Sequence, residues 1–461
     1  MSGKMMANQI KNGKGIMGDR EFYAKACRLA IPIALQNLIT IGVNMMDTVM
    51  LGTLGETAIS ASSLANQFIT IYHIACMGIG MGASVMVSRF WGMNDKESLK
   101  KSITIMLRFC ISFGILFMVL TALFPRQIMR IYTPDSQIIY EGTRYFFWMV
   151  PTYLLLGLIL DVAIVLRSVG KAYVPLISAI AGFSSNVFFN WIFIFGKLGA
   201  PKMGVAGAAL GTFLARLIEC AAVLGYFLLA DKDIAYSLKD LFADCKDLTG
   251  EYLRICIPVV ISDSLMAFGN TAVAIIMGHI GASFVSANSI TAITQQLTTV
   301  LTQGISQASC IMTGHTLGEG AVERARREGY TFMIFGAILG VIACGIILLV
   351  SRPVVGMYRI TEETRMIAYQ LMDAIAIIVI FQSTNSILTK GVLRGGGDTR
   401  FLMIADVLFL WVASVPLGVL AGLVLHLPAF WIYFFMKIDQ ILKCVWAVFR
   451  LRSGKWIKRI G

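Results

Sequence analysis

Few side chains in this sequence could do chemistry, and the foremost is Asp47, set inside the apolar run ALQNLITIGVNMMDTVML. A lone carboxylate removed from water costs several kcal/mol unless it is protonated, ion-bound or hydrogen-bonded. That cost is what makes it useful: the group can trade a proton, or hold Na⁺ beside neutral oxygens. It lies six or seven residues before the outer end of its helix, which at 1.5 Å per residue puts it ~10 Å below that end. Asn186 and Asn190 are one helical turn apart and share a face, and Asn190 precedes Gly196 by enough to reach a similar depth. Thr212 on the next apolar segment could add an oxygen. These four are the expected cation-coupling set, with H⁺ or Na⁺ as the coupling ion and a possible Na⁺ position at Asp47, Asn186 and Asn190. The plainer alternatives are an Asp satisfied by a neighbour such as Thr48 and amides that only bridge helices. An acid within a membrane is a functional candidate by default, and that decides the reading.

The elements that must position these groups are membrane spans. With 57% hydrophobic and 14% charged residues the chain is far more apolar than a soluble domain. Apolar windows of about 20 residues predict twelve helices, near 27–53, 58–89, 100–124, 138–166, 172–196, 204–229, 251–279, 284–314, 328–351, 366–393, 400–424 and 428–449. The net charge of +13 invites a nucleic-acid reading. Most of the 39 Lys and Arg, however, fall in the leader, alternate turns and tail, which is the pattern of a protein with both termini in the cytoplasm. No nucleic-acid partner is expected. The scattered cysteines contain no CxxC and indicate neither a disulfide framework nor a cysteine metal site. The first twenty residues lack an apolar stretch and cleavage motif, so 1–26 is expected to be a cytoplasmic leader rather than a signal peptide.

The sequence also repeats itself. RLAIP at 28–32 and RICIP at 254–258 are 226 positions apart, and the same step pairs Gly52 with Gly278, Gly78 with Gly304 and Gly92 with Gly318. LRSVGKA at 166–172 meets LRGGGDT at 393–399. Six spans per copy bring both halves into the membrane from the same side, so the repeats are parallel, with a pseudo-two-fold axis along the membrane normal. The expected organisation is a first lobe at 27–230, a charged linker at 231–250, a second lobe at 251–449 and a basic tail at 450–461. Gly92 and Gly318 are expected to end the second helix of each half as C-caps. Asp47 falls opposite Val273, so the acid belongs to one half only.

With the repeat, the spans, Pro32, Gln36, MMDTVMLGTLGETAIS, the paired LRSVGKA and LRGGGDT turns and SSNVFFNWIFIFGKLGAPKMGVAGAAL, the chain resembles the multidrug and toxic compound extrusion (MATE) family from end to end. The resemblance implies an all-α membrane protein of two six-helix bundles forming a V, and cation-coupled export of organic compounds by alternating access. It implies that Asp47 is the acid of the first helix, that Asn186 matches the fifth-helix Asn, and that Asn190 stands where some members carry a second Asp. It also implies that the first helix bends or straightens at Pro32 as its acid changes state. Pro258 occupies the matching place without an acid, so a kink that serves only packing is an equal reading.

For a substrate cleft the candidates are Gln36, Asp263 near mid-depth in the seventh span, and the eighth-span polar face of Gln296, Thr299, Gln303 and Gln307. A polar face within a membrane either lines water or packs on another polar helix. The expected substrates are small organic compounds, cationic and amphipathic, recognised with help from some of the 25 adaptable Met. Glu219 and Arg216, three residues apart, should neutralise each other, and Asp161, one to two turns from Arg167 near the cytoplasmic end, is expected to be structural. Asp373, Asp406 and Asp439 lack an assignment at this level. A flippase for lipid-linked precursors, or a specialised metabolite exporter, is the alternative; a flippase should need a cationic cleft, whereas Lys and Arg within spans are scarce. His73, His279, His315 and His426 form no HExxH, and no GxSxG or Walker motif occurs, so neither an enzyme nor ATP-driven transport is expected. No cofactor is expected. A monomer in contact with membrane lipids is, in a bacterial inner (plasma) membrane.

Overall fold

The computed structural model describes residues 19–358 and 360–459; residues 1–18 of the expected leader lie outside the described residues. Among the described residues the regular elements are helical and no strand occurs. They are α1 (Arg20–Gly52), α2 (Glu56–Met93), α3 (Lys96–Leu123), α4 (Pro125–Tyr132), α5 (Ser136–Met149), α6 (Thr152–Ser168), α7 (Tyr173–Phe195) and α8 (Val205–Gly225). The second half supplies α9 (Lys246–Ile280), α10 (Ala282–Gly318), α11 (Val322–Gly356), α12 (Glu362–Ser386), α13 (Thr399–Leu408), α14 (Val415–Val419), α15 (Ala429–Met436) and α16 (Ile438–Ser453). Wide π-helical turns extend α12 through Ile387–Leu393 and join α13 to α14 through Phe409–Ser414.

Among the described residues nine helices are long and apolar enough to cross a membrane, and α5 with α6, bent by 56°, makes a tenth. Two of the twelve expected spans fall short on this criterion for physical reasons. The first is α10, whose apolar character is diluted by Gln and Thr; the other is the last span, broken at Lys437 into α15 and α16. Pro32 interrupts the amide ladder of α1 without ending it, since the helix runs on to Gly52.

Helix ends follow the repeat. Asp135 caps α5, accepting from Gln137 N at 2.8 Å and Ile138 N at 3.2 Å, and Thr361, 226 positions later, caps α12 by accepting from Thr364 N at 3.3 Å. The C-caps, however, are not Gly92 and Gly318. The left-handed residues are Asn94 (φ 58°) and Gly320 (φ 75°), two positions further on in each copy. Gly92 is small for another reason: a Cβ there would collide with the backbone carbonyl of His315.

The chain divides into two compact units. One comprises Leu35–Trp91 and Asp95–Val260; the other comprises the chain up to Ala34, Gly92–Asn94 and Ile261–Gly461. Relative to the lobes read from the sequence, the units exchange the first portions of α1 and α9. Within the first unit, α9 packs on α2 so closely that a Cβ on Gly78 would meet Val260 Cα at 3.0 Å. In the second, a Cβ on Gly304 of α10 would meet the Ala34 methyl of α1 at 3.1 Å. Gly78 and Gly304, like Ala34 and Val260, are 226 apart, so one packing motif is used twice. The first unit's core joins Ala58 and Ala65 of α2 to Met129, Phe146 and Ala208, beside an aromatic cluster of Tyr72, Phe117 and Tyr153. The second unit's core is built around Ala368–Val379 of α12, packed by α9, α10 and α11.

The linker belongs to the first unit. Arg108 of α3 donates to the carbonyls of Leu241 (2.9 Å) and Ala243 (2.7 Å), Tyr236 shares a hydrogen bond with Thr104 (2.9 Å), and Lys171 binds Asp231 (2.8 Å).

Candidate functional site

Three helices of the first unit bring the site together. Helix α7 presents Asn186 and Asn190 one turn apart, both buried. Helix α8 lies against it with Gly211 opposite Asn190, where any Cβ would collide with the amide oxygen. Helix α1 contributes Asp47, partly buried.

The groups form one chain of hydrogen bonds. Asn190 Nδ2 donates to Asp47 Oδ1 at 2.6 Å and to Asn186 Oδ1 at 3.3 Å, and Asn186 Nδ2 donates to Thr212 Oγ1 at 3.3 Å. The first is charge-assisted and short, a class worth about 1.5–3 kcal/mol. Asn190 Oδ1 is buried without a hydrogen-bond partner among the described residues, so a carbonyl oxygen is left over beside the carboxylate. Thr48 bonds back to the Asn44 carbonyl at 2.8 Å, which leaves its proton unavailable to Asp47.

Next to this chain is a cavity of about 20 Å³, lined by Thr40, Val43, Asn186, Thr212, Arg216 and Glu219. It is large enough for about one water. Arg216 and Glu219 form a 2.6 Å ion pair across it, as their spacing suggested. The arrangement can hold one positive charge at Asp47, as a proton or as a small cation among amide and hydroxyl oxygens, with a neutralised ion pair nearby.

Other residues singled out in the sequence lie outside this chain of hydrogen bonds. Gln36 Oε1 accepts from Arg167 Nη2 at 2.5 Å, so Arg167 pairs with Gln36 and not with Asp161. Asp161 is fully buried beside Cys110 instead. Asp263 is an ion-pair partner, 3.4 Å from Arg394 of the LRGGGDT turn. On α10, Gln296 and Gln303 are exposed and Gln307 partly buried along one face. Thr299 is turned inward, its hydroxyl donating to the Gln295 carbonyl at 2.8 Å. The inner side of this helix packs on α12 through polar contacts: Gln295 to Gln382 at 2.6 Å and Ser306 to the Ser386 carbonyl at 2.8 Å.

The second unit contains a charged centre that the sequence did not announce. Lys443 of α16 is buried, 3.2 Å from Asp406 and 3.0 Å from Asp439, with its third contact to Met266 Sδ at 3.2 Å. Ser262 donates to Asp406 (2.6 Å), Ser414 to Asp439 (3.0 Å) and Gln440 to Asp439 (2.8 Å). Asp439 and Lys443 are an i,i+4 pair, the one signal that could have found them. Among the described residues no group of three His, Cys, Asp or Glu is arranged to hold a metal ion.

The profile of the family described as MatE matches residues 32–192 and 258–420, one match in each half. The chain is 24% identical over 430 residues to a probable multidrug resistance protein NorM of Pasteurella multocida, covering 90% of each. It is likewise 24% identical to the multidrug resistance protein MdtK of Yersinia enterocolitica, covering 89% of this chain and 92% of that one. In three dimensions it is similar to an outward-facing multidrug resistance MATE family transporter of the MOP superfamily, with a TM-score of 0.84, 18% identity, and 95% and 98% of the two chains covered.

Proposed function

The chain belongs to the MatE family, and on that premise we propose that it exports small organic compounds in exchange for H⁺ or Na⁺, coupled at Asp47. It is a multi-pass membrane protein, and the relatives named for multidrug resistance support efflux as the direction. The observation that carries the coupling is the 2.6 Å bond from buried Asn190 to Asp47, in one unit only. Charged, Asp47 holds Asn190 and ties α1 to α7. Neutralised by a proton, it loses the charge-assisted part of that bond, and Asn190 retains its partner Asn186. With Na⁺, the leftover Asn190 oxygen becomes a ligand beside the carboxylate. Either event changes the hold on α1, the helix that Pro32 has already weakened, and alternating access follows from that change. The placement of basic residues supports cytoplasmic termini and a bacterial inner membrane.

The test is transport in liposomes. A fluorescent organic cation is followed under an imposed pH or Na⁺ gradient, with Asp47→Asn as the comparison because it keeps volume and removes charge. One gradient is expected to drive transport by the wild type, and the folded variant is expected to fall to background. Full coupling in the variant would exclude the site. No transport by the wild type under either gradient would favour a flippase for lipid-linked precursors or a specialised metabolite exporter.

A further inference from the structure

The second unit carries a groove of about 550 Å³ with no part in the transport site. It is lined by the apolar side chains of Phe401, Phe409, Leu442, Trp446 and Phe449 together with the basic Arg450 and Lys455. The rings interlock: Trp446 lies 5.6 Å from Phe401 and 5.0 Å, edge-on, from Phe409. Trp446 and Phe449 remain exposed, so the groove is open along its length.

The charged residues of the lining are both basic, Arg450 and Lys455. The Arg450 guanidinium lies 4.3 Å over the Phe401 ring and is anchored by Asp398 through Nε at 2.7 Å and Nη2 at 3.2 Å. Lys458 reaches the same carboxylate at 3.4 Å. Lys455 is exposed and makes no ion pair among the described residues. Two cations, Arg450 and Lys455, therefore line an otherwise largely apolar slot, while the one carboxylate beside it, Asp398, is shared between Arg450 and Lys458. The volume lies within the ~300–1,000 Å³ range of small-ligand sites, and aromatic residues next to basic ones mark a membrane–water boundary.

We propose that this groove is a binding site for an anionic glycerophospholipid, an acyl chain lying along Trp446 and Phe449 and the phosphate held at Lys455 and Arg450. Charge complementarity selects the occupant. An apolar slot alone would take any lipid chain, whereas the uncompensated ammonium of Lys455 favours a headgroup with net negative charge. A basic side chain near such a surface favours anionic lipid about fivefold. An organic cation, the substrate class expected for transport, is repelled by the same basic side chains. The pre-set guanidinium of Arg450 adds to the site because its pairing with Asp398 and its seat on Phe401 hold it in place before the lipid arrives.

The full-length protein is placed in nanodiscs of phosphatidylcholine containing a small fraction of brominated-chain phosphatidylglycerol or, separately, brominated-chain phosphatidylcholine. Bromine quenches nearby tryptophan, and subtracting the Trp446→Phe signal isolates Trp446 from the other six tryptophans. Quenching at Trp446 is expected to be severalfold stronger with the anionic lipid, falling with Lys455→Gln and approaching parity with Lys455→Glu. Equal quenching by both lipids in the wild type would overturn the proposal and leave the groove an ordinary lipid-facing surface. Relief of quenching by a transported organic cation would also overturn it in favour of that occupant. The readout involves no transport, so it stands or falls independently of Asp47.

Discussion

At the scale of single residues, Asp47 and the centre around Lys443 handle charge in opposite ways. Asp47 is supported by neutral amides, and that leaves room for a cation; Asp406 and Asp439 already contain theirs, in Lys443. Two predictions follow from this contrast. Asn190→Asp sets a second carboxylate beside Asp47, and two acids at that separation cannot both stay ionised without a cation. Tighter binding of the coupling ion is expected, read as a lower half-saturating concentration in transport; an unchanged value would place Asn190 outside the site. Lys443→Ala leaves Asp406 and Asp439 facing each other unpaired, a change that costs about 3–5 kcal/mol when a buried pair is broken. Thermal unfolding in detergent should show a large loss, largely restored by adding Asp406→Asn and Asp439→Asn. A loss below about 1 kcal/mol would show that the lysine does not act as an ionic staple.

At the scale of elements, the repeated glycines mark where helices meet backbone to backbone. Gly78 admits α9 onto α2, and Gly304 admits α1 onto α10, each within its own unit. Gly304→Leu and Gly78→Leu should each destabilise the protein by about 1–3 kcal/mol or more, since a core already in contact cannot absorb the added carbons. Gly345→Ala, at a helical position with open space around it, should be neutral or stabilise by up to ~1 kcal/mol. A Gly304→Leu protein as stable as the wild type would show that α1 and α10 do not approach as described. The same constraint explains why Gly92 is not the C-cap that its place near a helix end predicts. A glycine near a helix end invites a C-cap assignment, but close approach and a left-handed backbone are separate demands, met here by Gly92 and Asn94 respectively.

At the scale of the whole molecule, the chain between the halves is not a free tether. Residues 231–247 are bound along α3 and at Lys171 through side-chain and carbonyl contacts. The Lys171 ammonium holds the Asp233 carboxyl below the usual carboxylate range. A depressed carboxylate contributes fully above its unfolded value, near ~4, and loses that contribution only as pH falls through the lower, folded value. Hydrogen-exchange protection of this segment, corrected for intrinsic rates, should therefore be unchanged between pH 8 and 5. Arg108→Ala removes the two carbonyl contacts of the segment and should open it to limited proteolysis. Cleavage no faster than in the wild type would show that those contacts do not hold it.

Much of this protein was legible in one dimension. Hydrophobic run length sets the spans, a constant offset of 226 reveals the duplication, and Asp47 stands out because nothing beside it in sequence can neutralise it. These are properties of covalent order and of period, and they need no knowledge of neighbours. What only the tertiary structure decided was partnership. Arg167 lies six residues from Asp161 yet binds Gln36, 131 positions away, and Lys443 finds one of its two carboxylates at Asp406, 37 positions away. The physical reason is that a partner is chosen by the rotation and depth of each helix against the next. An apolar pattern fixes those only to within about a turn, and a turn is the whole reach of a side chain.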